Sequence, residues 1–227
     1  MGHLLEIQQA FPLLRSLSEQ ELAGAPTRRV ERAAGERFFD QGDPGDAVYG
    51  VVTGRVLISK QTPGGRELAL DVFGPGGLIS AVAVIRGIPM PASAVALEPT
   101  LCLHMDGEWF KKVMRANPGI SALIMDEMMN RLIEAGNARL NLAANSVEVR
   151  LAVAMLRMAE KFGVPQNGEV WVGRTFTRQN LADLAGTTVE TAIRVMSRWT
   201  RDGWIESHDS RIQIRQPAEL ARIAKGD

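Results

Sequence analysis

The sequence predicts an α+β chain in which a β-barrel or jelly roll, a long helix and a winged helix-turn-helix follow one another. Three observations predict it. Between Val30 and Met105, short apolar and polar alternations are punctuated by glycine, which is the pattern of many short strands. From Met129 onward, apolar and small residues recur at alternating spacings of four and three, which is a heptad seam. Between Thr177 and Trp204, two short amphipathic helix patterns flank Gly186, the layout of a helix-turn-helix. The expected divisions are residues 1–117 for the β-domain, 118–145 for the long helix and 146–227 for the last domain.

A chain of 227 residues holds two modest domains, and 45% hydrophobic with 23% charged residues is the balance of a soluble globular protein. The longest apolar run, Leu78–Ile85, is too short to span a bilayer, and the N-terminus lacks a basic-then-apolar signal pattern. No membrane partner and a cytoplasmic location are expected. Cys102 is the one cysteine, so neither an internal disulfide nor a zinc or iron–sulfur site can be built from thiols alone. Net charge is zero, but it is unevenly placed. Residues 1–145 carry 14 Lys/Arg against 16 Asp/Glu, whereas residues 146–227 carry 12 against 10. Between Arg174 and Arg201 five arginines face only Asp183 and Glu190, the local excess that counterion release on a polyanion requires.

In the first division Val51, Val56 and Ile58 are strand formers, while Gly42, Gly45, Gly54, Gly64, Gly65 and Gly74 mark tight turns. Periodicity alone fits any small all-β domain equally well. Leu101, Cys102, Leu103 and His104 alternate like a strand, so Cys102 reads as a buried thiol.

Pro118 and Gly119 open the long helix, expected to run to about Asn145. Its seam is Met129, Ile133, Gly136, Leu140, Ala143 and Val147, and a second runs through Met125, Met128, Leu132, Ala135 and Leu142. One seam is expected on the chain's own β-domain and the other on a second copy of the helix, giving a homodimer; a core helix in a monomer is the alternative. A further helix from about Val147 to Phe162 leads into the last domain, with GVPQNGE as the turn before its first strand.

In the last division Leu181, Leu184 and Ala185 form the buried stripe of a first short helix, and Gly186 makes the turn. Ala192, Val195, Met196 and Trp199 form the buried face of the second, leaving Val189, Glu190, Ile193, Arg194 and Arg198 opposite. There a glutamate accepts from cytosine N4 and an arginine donates to guanine, so the pair can read a C·G step of double-stranded DNA. The same residues also fit a capping box, with Thr187 as N-cap and Glu190 at N3, and an ordinary Glu190–Arg194 surface pair. Thr177, Arg178 and Gln179 bring phosphate-seeking groups to the first helix's N-terminus. Two strands, Trp204–Ser207 and Arg211–Arg215, then form a wing whose Arg211 and Arg215 face a phosphate backbone.

The run TRQNLADLAGTTVETAIRVMSRWTRDGWI resembles the DNA-binding signature of the bacterial cyclic-AMP receptor and fumarate-nitrate regulator family. Gly35-Glu36, Gln41-Gly42-Asp43, Tyr49, Val51 and Gly54-Arg55-Val56 resemble that family's cyclic-nucleotide-binding β-roll. The resemblance covers nearly the whole chain. It implies a cyclic-nucleotide-binding-like β-roll, a dimerisation helix, a winged helix-turn-helix, and contact with RNA polymerase if the protein is an activator. It places Val189, Glu190 and Arg194 at the base-reading positions, with Thr188 among the other expected DNA-binding residues. TVET resembles the anaerobic-regulator branch, which implies TTGAT-like half-sites, and Ile193 departs from that branch's small polar residue.

The resemblance also marks a departure. The family's phosphate-binding cassette carries a glutamate, and then an arginine followed by a small hydroxyl residue. Counting back from Ala96-Leu97-Glu98, these fall on Ala81, Met90 and Pro91. A cyclic phosphate buried there lacks its cationic partner, at a cost of several kcal/mol. The implied pocket, Ile79, Ser80, Ala81, Met90, Pro91 and Ala92 with Leu132, Ala135 and Gly136 from the helix, is mostly apolar. It suits a hydrophobic effector or a filled pocket with none.

No glycine-rich phosphate loop, HExxH or nucleophile elbow is present, so no enzyme is expected. Neither metal nor cofactor is required. A haem-based gas sensor is the competing reading within transcription, with Met90 the cassette's one axial-ligand type. A cyclic-nucleotide-responsive signalling module and a nucleoid-type binder of low sequence preference are the others.

Overall fold

Two four-stranded sheets form the N-terminal roll in the computed structural model, which describes residues 11, 14, 17, 18, 25–65, 67–166, 169–172, 177–208 and 211–226. The first sheet runs β1 (Thr27–Arg32), β8 (Thr100–Asp106), β3 (Ala47–Thr53), β6 (Leu78–Ile79). The second runs β2 (Arg37–Phe39), β7 (Ser93–Ala96), β4 (Val56–Gln61), β5 (Glu67–Phe73). Strand alternation divides the core in two. Cys102, Val51, Val56, Phe38, Phe39, Ala94 and Ala96 cluster together. Val48, Leu103 and Met105, from alternate positions of β3 and β8, meet Phe11, Leu14, Leu17, Phe110 and Ile120 instead. Burial of each large apolar side chain contributes about 1.5–3 kcal/mol. Gly50 is required here: a Cβ on it would stand 2.4 Å from the Phe11 ring.

Three helices accompany the roll: α1 (Ala81–Arg86), α2 (Gly107–Ala116) and the start of α3 (Pro118–Ala144). Asp106 caps α2 by accepting from the Trp109 N–H at 2.8 Å. After α3 the chain breaks at Asn145 and Ser146, and α4 (Val147–Phe162) begins. Val147 therefore opens a new helix and cannot extend the seam of α3. The chain's two compact units divide inside α3, between Ile133 and Glu134, with residues 68–70 grouped with the second.

The second expected seam is corrected by burial. Ile120 and Ile124 are buried in the roll core and Met128 packs against it, but Met125, Leu132 and Leu142 are exposed. The first seam is exposed along this chain, with Met129 at 51%, Ile133 at 58% and Leu140 at 69%.

The second unit carries β9 (Val164–Gln166), β10 (Glu169–Val172), α5 (Arg178–Leu184), α6 (Val189–Arg201), β11 (Ile205–His208), β12 (Arg211–Ile214) and α7 (Pro217–Ala224). Its sheet order is β11-β12-β10-β9. GVPQNGE thus holds strand β9 and the first residue of β10, and not a turn alone. The first wing strand lies one residue beyond its expected limits, and the second begins at Arg211 as expected and ends one residue early, because Ile205 pairs with Ile214 and His208 with Arg211. Among the described residues no helix is long and apolar enough to cross a membrane.

Candidate nucleic-acid interface

Helix α6 is held by the side it buries. Ala192, Val195, Met196 and Trp199 lie at 0–9% exposure, so the facing residues are fixed in orientation by packing. Its N-cap is Thr188, whose hydroxyl accepts from the Thr191 N–H at 3.3 Å. The expected Thr187–Glu190 capping box is therefore displaced by one residue: Thr191 occupies N3 and Glu190 does not cap. On the outward face Glu190, Ile193 and Arg194 are exposed and Val189 is half-buried. Glu190 has an interaction of its own, and no ion pair to Arg194 is among those seen in the described residues.

Arg198 is differently placed. Its guanidinium pairs with Glu148 of α4, whose other oxygen accepts from the Trp199 ring N–H at 3.0 Å. Burial pushes the Glu148 carboxyl up, but the Arg198 and Trp199 hydrogen bonds and the Arg198 charge outweigh it and hold the group below its ordinary value. Arg198 anchors α6 to α4 as much as it faces outward.

At α5 the expected phosphate-facing groups are partly committed to local bonds. The Thr177 hydroxyl accepts from the Asn180 N–H at 3.1 Å, and the Asn180 side-chain Oδ1 accepts from the Thr177 N–H at 3.0 Å, completing a capping box. Gln179 donates to Asp183 at 2.8 Å. Arg178, exposed, reaches Ser207 of the wing at 3.4 Å, which brings the start of α5 and β11 together. Arg215 pairs with Glu206, and the Arg211 side chain lies outside the described residues.

The turn between α5 and α6 is built by Gly186, at φ +60°, where a Cβ would lie 2.3 Å from Leu142 Cδ2. Arg150 fastens it. Its guanidinium donates to the carbonyls of Ala185 at 2.8 Å and Gly186 at 3.1 Å, and to those of Leu142 at 3.4 Å and Asn145 at 3.2 Å. One side chain thus bonds the reading turn to the last turn of α3.

The roll holds a cavity of about 240 Å³. Ile79, Ser80, Ala81, Met90, Pro91 and Ala92 line it as expected, with Phe39, Ile58 and Phe73. Leu132, Ala135 and Gly136 do not line it; α3 contributes Met128 and Arg131 instead. Sequence alone does not single out Arg131, although it shares a helix face with Met128 at i, i+3. It pairs with Asp71 at 3.0 Å and Glu127 at 2.7 Å, and its guanidinium carbon lies 3.9 Å from the Phe73 ring centroid. Cys102 is fully buried in the core, and its thiol is pushed up to about 12 by that burial, so the nucleophilic thiolate is not formed at neutral pH. Among the described residues no cluster of His, Cys, Asp and Glu suits a metal ion.

Known proteins share this arrangement. The family description "Cyclic nucleotide-binding domain" matches residues 29–117, and "Crp-like helix-turn-helix domain" matches residues 149–223. The chain is 30% identical to the cyclic AMP receptor protein of Thermus thermophilus over 219 residues, covering 95% of this chain and 97% of that one. It is 27% identical to a CRP-like cAMP-activated global transcriptional regulator of Mycobacterium tuberculosis, over 86% of this chain and 88% of that one. Among solved structures, a CRP/FNR-family transcriptional regulator from Thermus thermophilus aligns with a TM-score of 0.71 and 25% identity, over 87% of this chain and 98% of that one.

Proposed function

The chain belongs to the cyclic-AMP receptor and fumarate-nitrate regulator family of DNA-binding transcription regulators, and we propose that it reads a pseudo-palindromic site as a homodimer. Its relatives are regulators and not enzymes. The observation that carries the proposal is the outward face of α6. Glu190, Ile193 and Arg194 are exposed beside half-buried Val189, while packing of Trp199 and Met196 holds the helix still. Arg194 donates to guanine and Glu190 accepts from cytosine, with Val189 against a thymine methyl. Thr177, Arg178, Gln179 and Thr188 contribute phosphate or flanking contacts. By resemblance to the anaerobic-regulator branch, each half-site is TTGAT-like.

The exposed seam of α3 supports dimerisation, because Met129, Ile133 and Leu140 are covered when two copies pair. A dimer then presents two reading helices about one helical turn of DNA apart. If the protein activates, its further partner is RNA polymerase. The effector is not a cyclic nucleotide. Ala81, Met90 and Pro91 stand at the phosphate-holding positions, and Arg131 lies between two carboxylates. The lining offers haem Met90 and Met128 and no histidine or cysteine, which supports a reading without haem.

The reading is tested by comparing affinity for a TTGAT-based palindrome with affinity for random-sequence DNA at one salt concentration. A regulator discriminates by about 10³-fold or more. A ratio near one makes the chain a binder of low sequence preference and overturns the proposal.

A further inference from the structure

We propose that the roll cavity binds a small neutral ligand of one or two rings, apolar apart from a single N–H or O–H donor. The inference rests on the regulator reading above and names the class of its effector.

Size is the first argument. An apolar cavity of about 150 Å³ suffices to bind benzene, and drug-sized sites begin at about 300 Å³. At about 240 Å³ this cavity falls between them, which fits one or two rings.

The walls are the second. Phe39, Ile58, Phe73, Ile79, Met90 and Met128 supply an apolar and partly aromatic surface. Met90 is buried, and methionine adapts its shape to an aromatic guest. Asp71 and Arg131, paired with each other at 3.0 Å, are the cavity's charged lining residues, and Ser80 is the remaining polar one.

Charge is the third, and it excludes anions. Arg131 is bonded to both Asp71 and Glu127 and stacks on Phe73. A phosphate or carboxylate entering there meets one cation already neutralised by one acid and faced by a second. Its desolvation goes uncompensated. A neutral donor instead meets Asp71, whose Oδ1 accepts from the Val72 N–H at 2.9 Å and Oδ2 from Arg131 at 3.0 Å, and a carboxylate has about four acceptor sites in all.

Backbone strain at the cavity wall is the fourth. Ser80 holds φ +69°, the one positive φ outside glycine among the described residues. Its hydroxyl donates to the Ala47 carbonyl at 2.8 Å, which ties the strained residue to β3. Such strain concentrates at ligand clamps and switch regions.

The test is direct binding of indole to the full chain, by calorimetry and by thermal shift, with indole-3-acetate and cyclic AMP as charged controls. Saturable indole binding is expected, raising the melting temperature by mass action, with both controls at least tenfold weaker. In the unmodified chain, NOEs from indole protons to the Met90 and Met128 methyl groups locate the guest without any substitution. Met90→Trp and Ala92→Leu, each filling the cavity, should weaken indole at least tenfold while helical circular dichroism is retained. No saturable indole binding at millimolar concentration overturns the proposal. So does equal binding of indole-3-acetate, or NOEs to methyl groups elsewhere. No DNA enters this measurement, so its failure leaves the base-reading proposal standing.

Discussion

Glu148 joins helices α4 and α6 through Arg198 and the Trp199 ring N–H, and the fold therefore responds to acid there. Its carboxyl is held below its ordinary value of 4.5 in the folded chain. A depressed carboxyl contributes stability that is present above the unfolded pKa and lost as pH falls through the folded one. Glu148→Gln should accordingly lower the melting temperature at pH 7, and the gap from the unmodified chain should close as pH falls below 4.5. Melting curves by circular dichroism over that interval check it; a gap independent of pH removes the charge from the account. The pair is not legible in the sequence, because its members lie 50 positions apart and each reads as an ordinary surface charge. Arg131, 60 positions from Asp71, escapes sequence reading for the same reason. By contrast Ala192, Val195, Met196 and Trp199 are legible, since burial on a helix leaves a 3.6-residue period. The N-cap falls one residue beyond its expected place because Thr187 and Thr188 have the same capping chemistry, and only backbone geometry separates them.

At the scale of elements, α3 shows what a single chain leaves unsatisfied. A run of exposed Met129, Ile133 and Leu140 on one helix is costly in water, and the proposed pairing with a second copy would remove it. Leu140→Glu places a charge inside that seam. It should convert a dimer into a monomer at micromolar concentration, read as halved mass by light scattering; an unmodified chain that is already monomeric means the seam has been misread. The helix limits themselves are legible from Pro118 and from the Val147–Phe162 pattern. What the second seam buries is not. Periodicity gives the faces of a helix but not the length over which a neighbouring body covers one of them. Within the first unit, Ile120, Ile124 and Met128 are the residues of α3 packed in the roll core. Strand β9 reads as turn in the sequence because VPQ carries a proline, which at a sheet edge is tolerated.

For the whole molecule, zero net charge and DNA binding are reconciled by placement. The basic excess falls in residues 146–227, and Arg194 is exposed. The proposed homodimer would carry two copies of every reading residue, so base preference would change in symmetric pairs. Arg178→Ala should weaken binding to all sequences alike and lower the salt slope by about one unit for each phosphate it no longer neutralises. The central claim, base reading by Arg194, is tested most directly by selecting sites from random DNA with the unmodified chain and with Arg194→Ala. The unmodified chain should select a pseudo-palindrome. Arg194→Ala should bind more weakly by about 1–3 kcal/mol per half-site, with preference relaxed at one position in each half. An unchanged motif for Arg194→Ala means that Arg194 does not read a base.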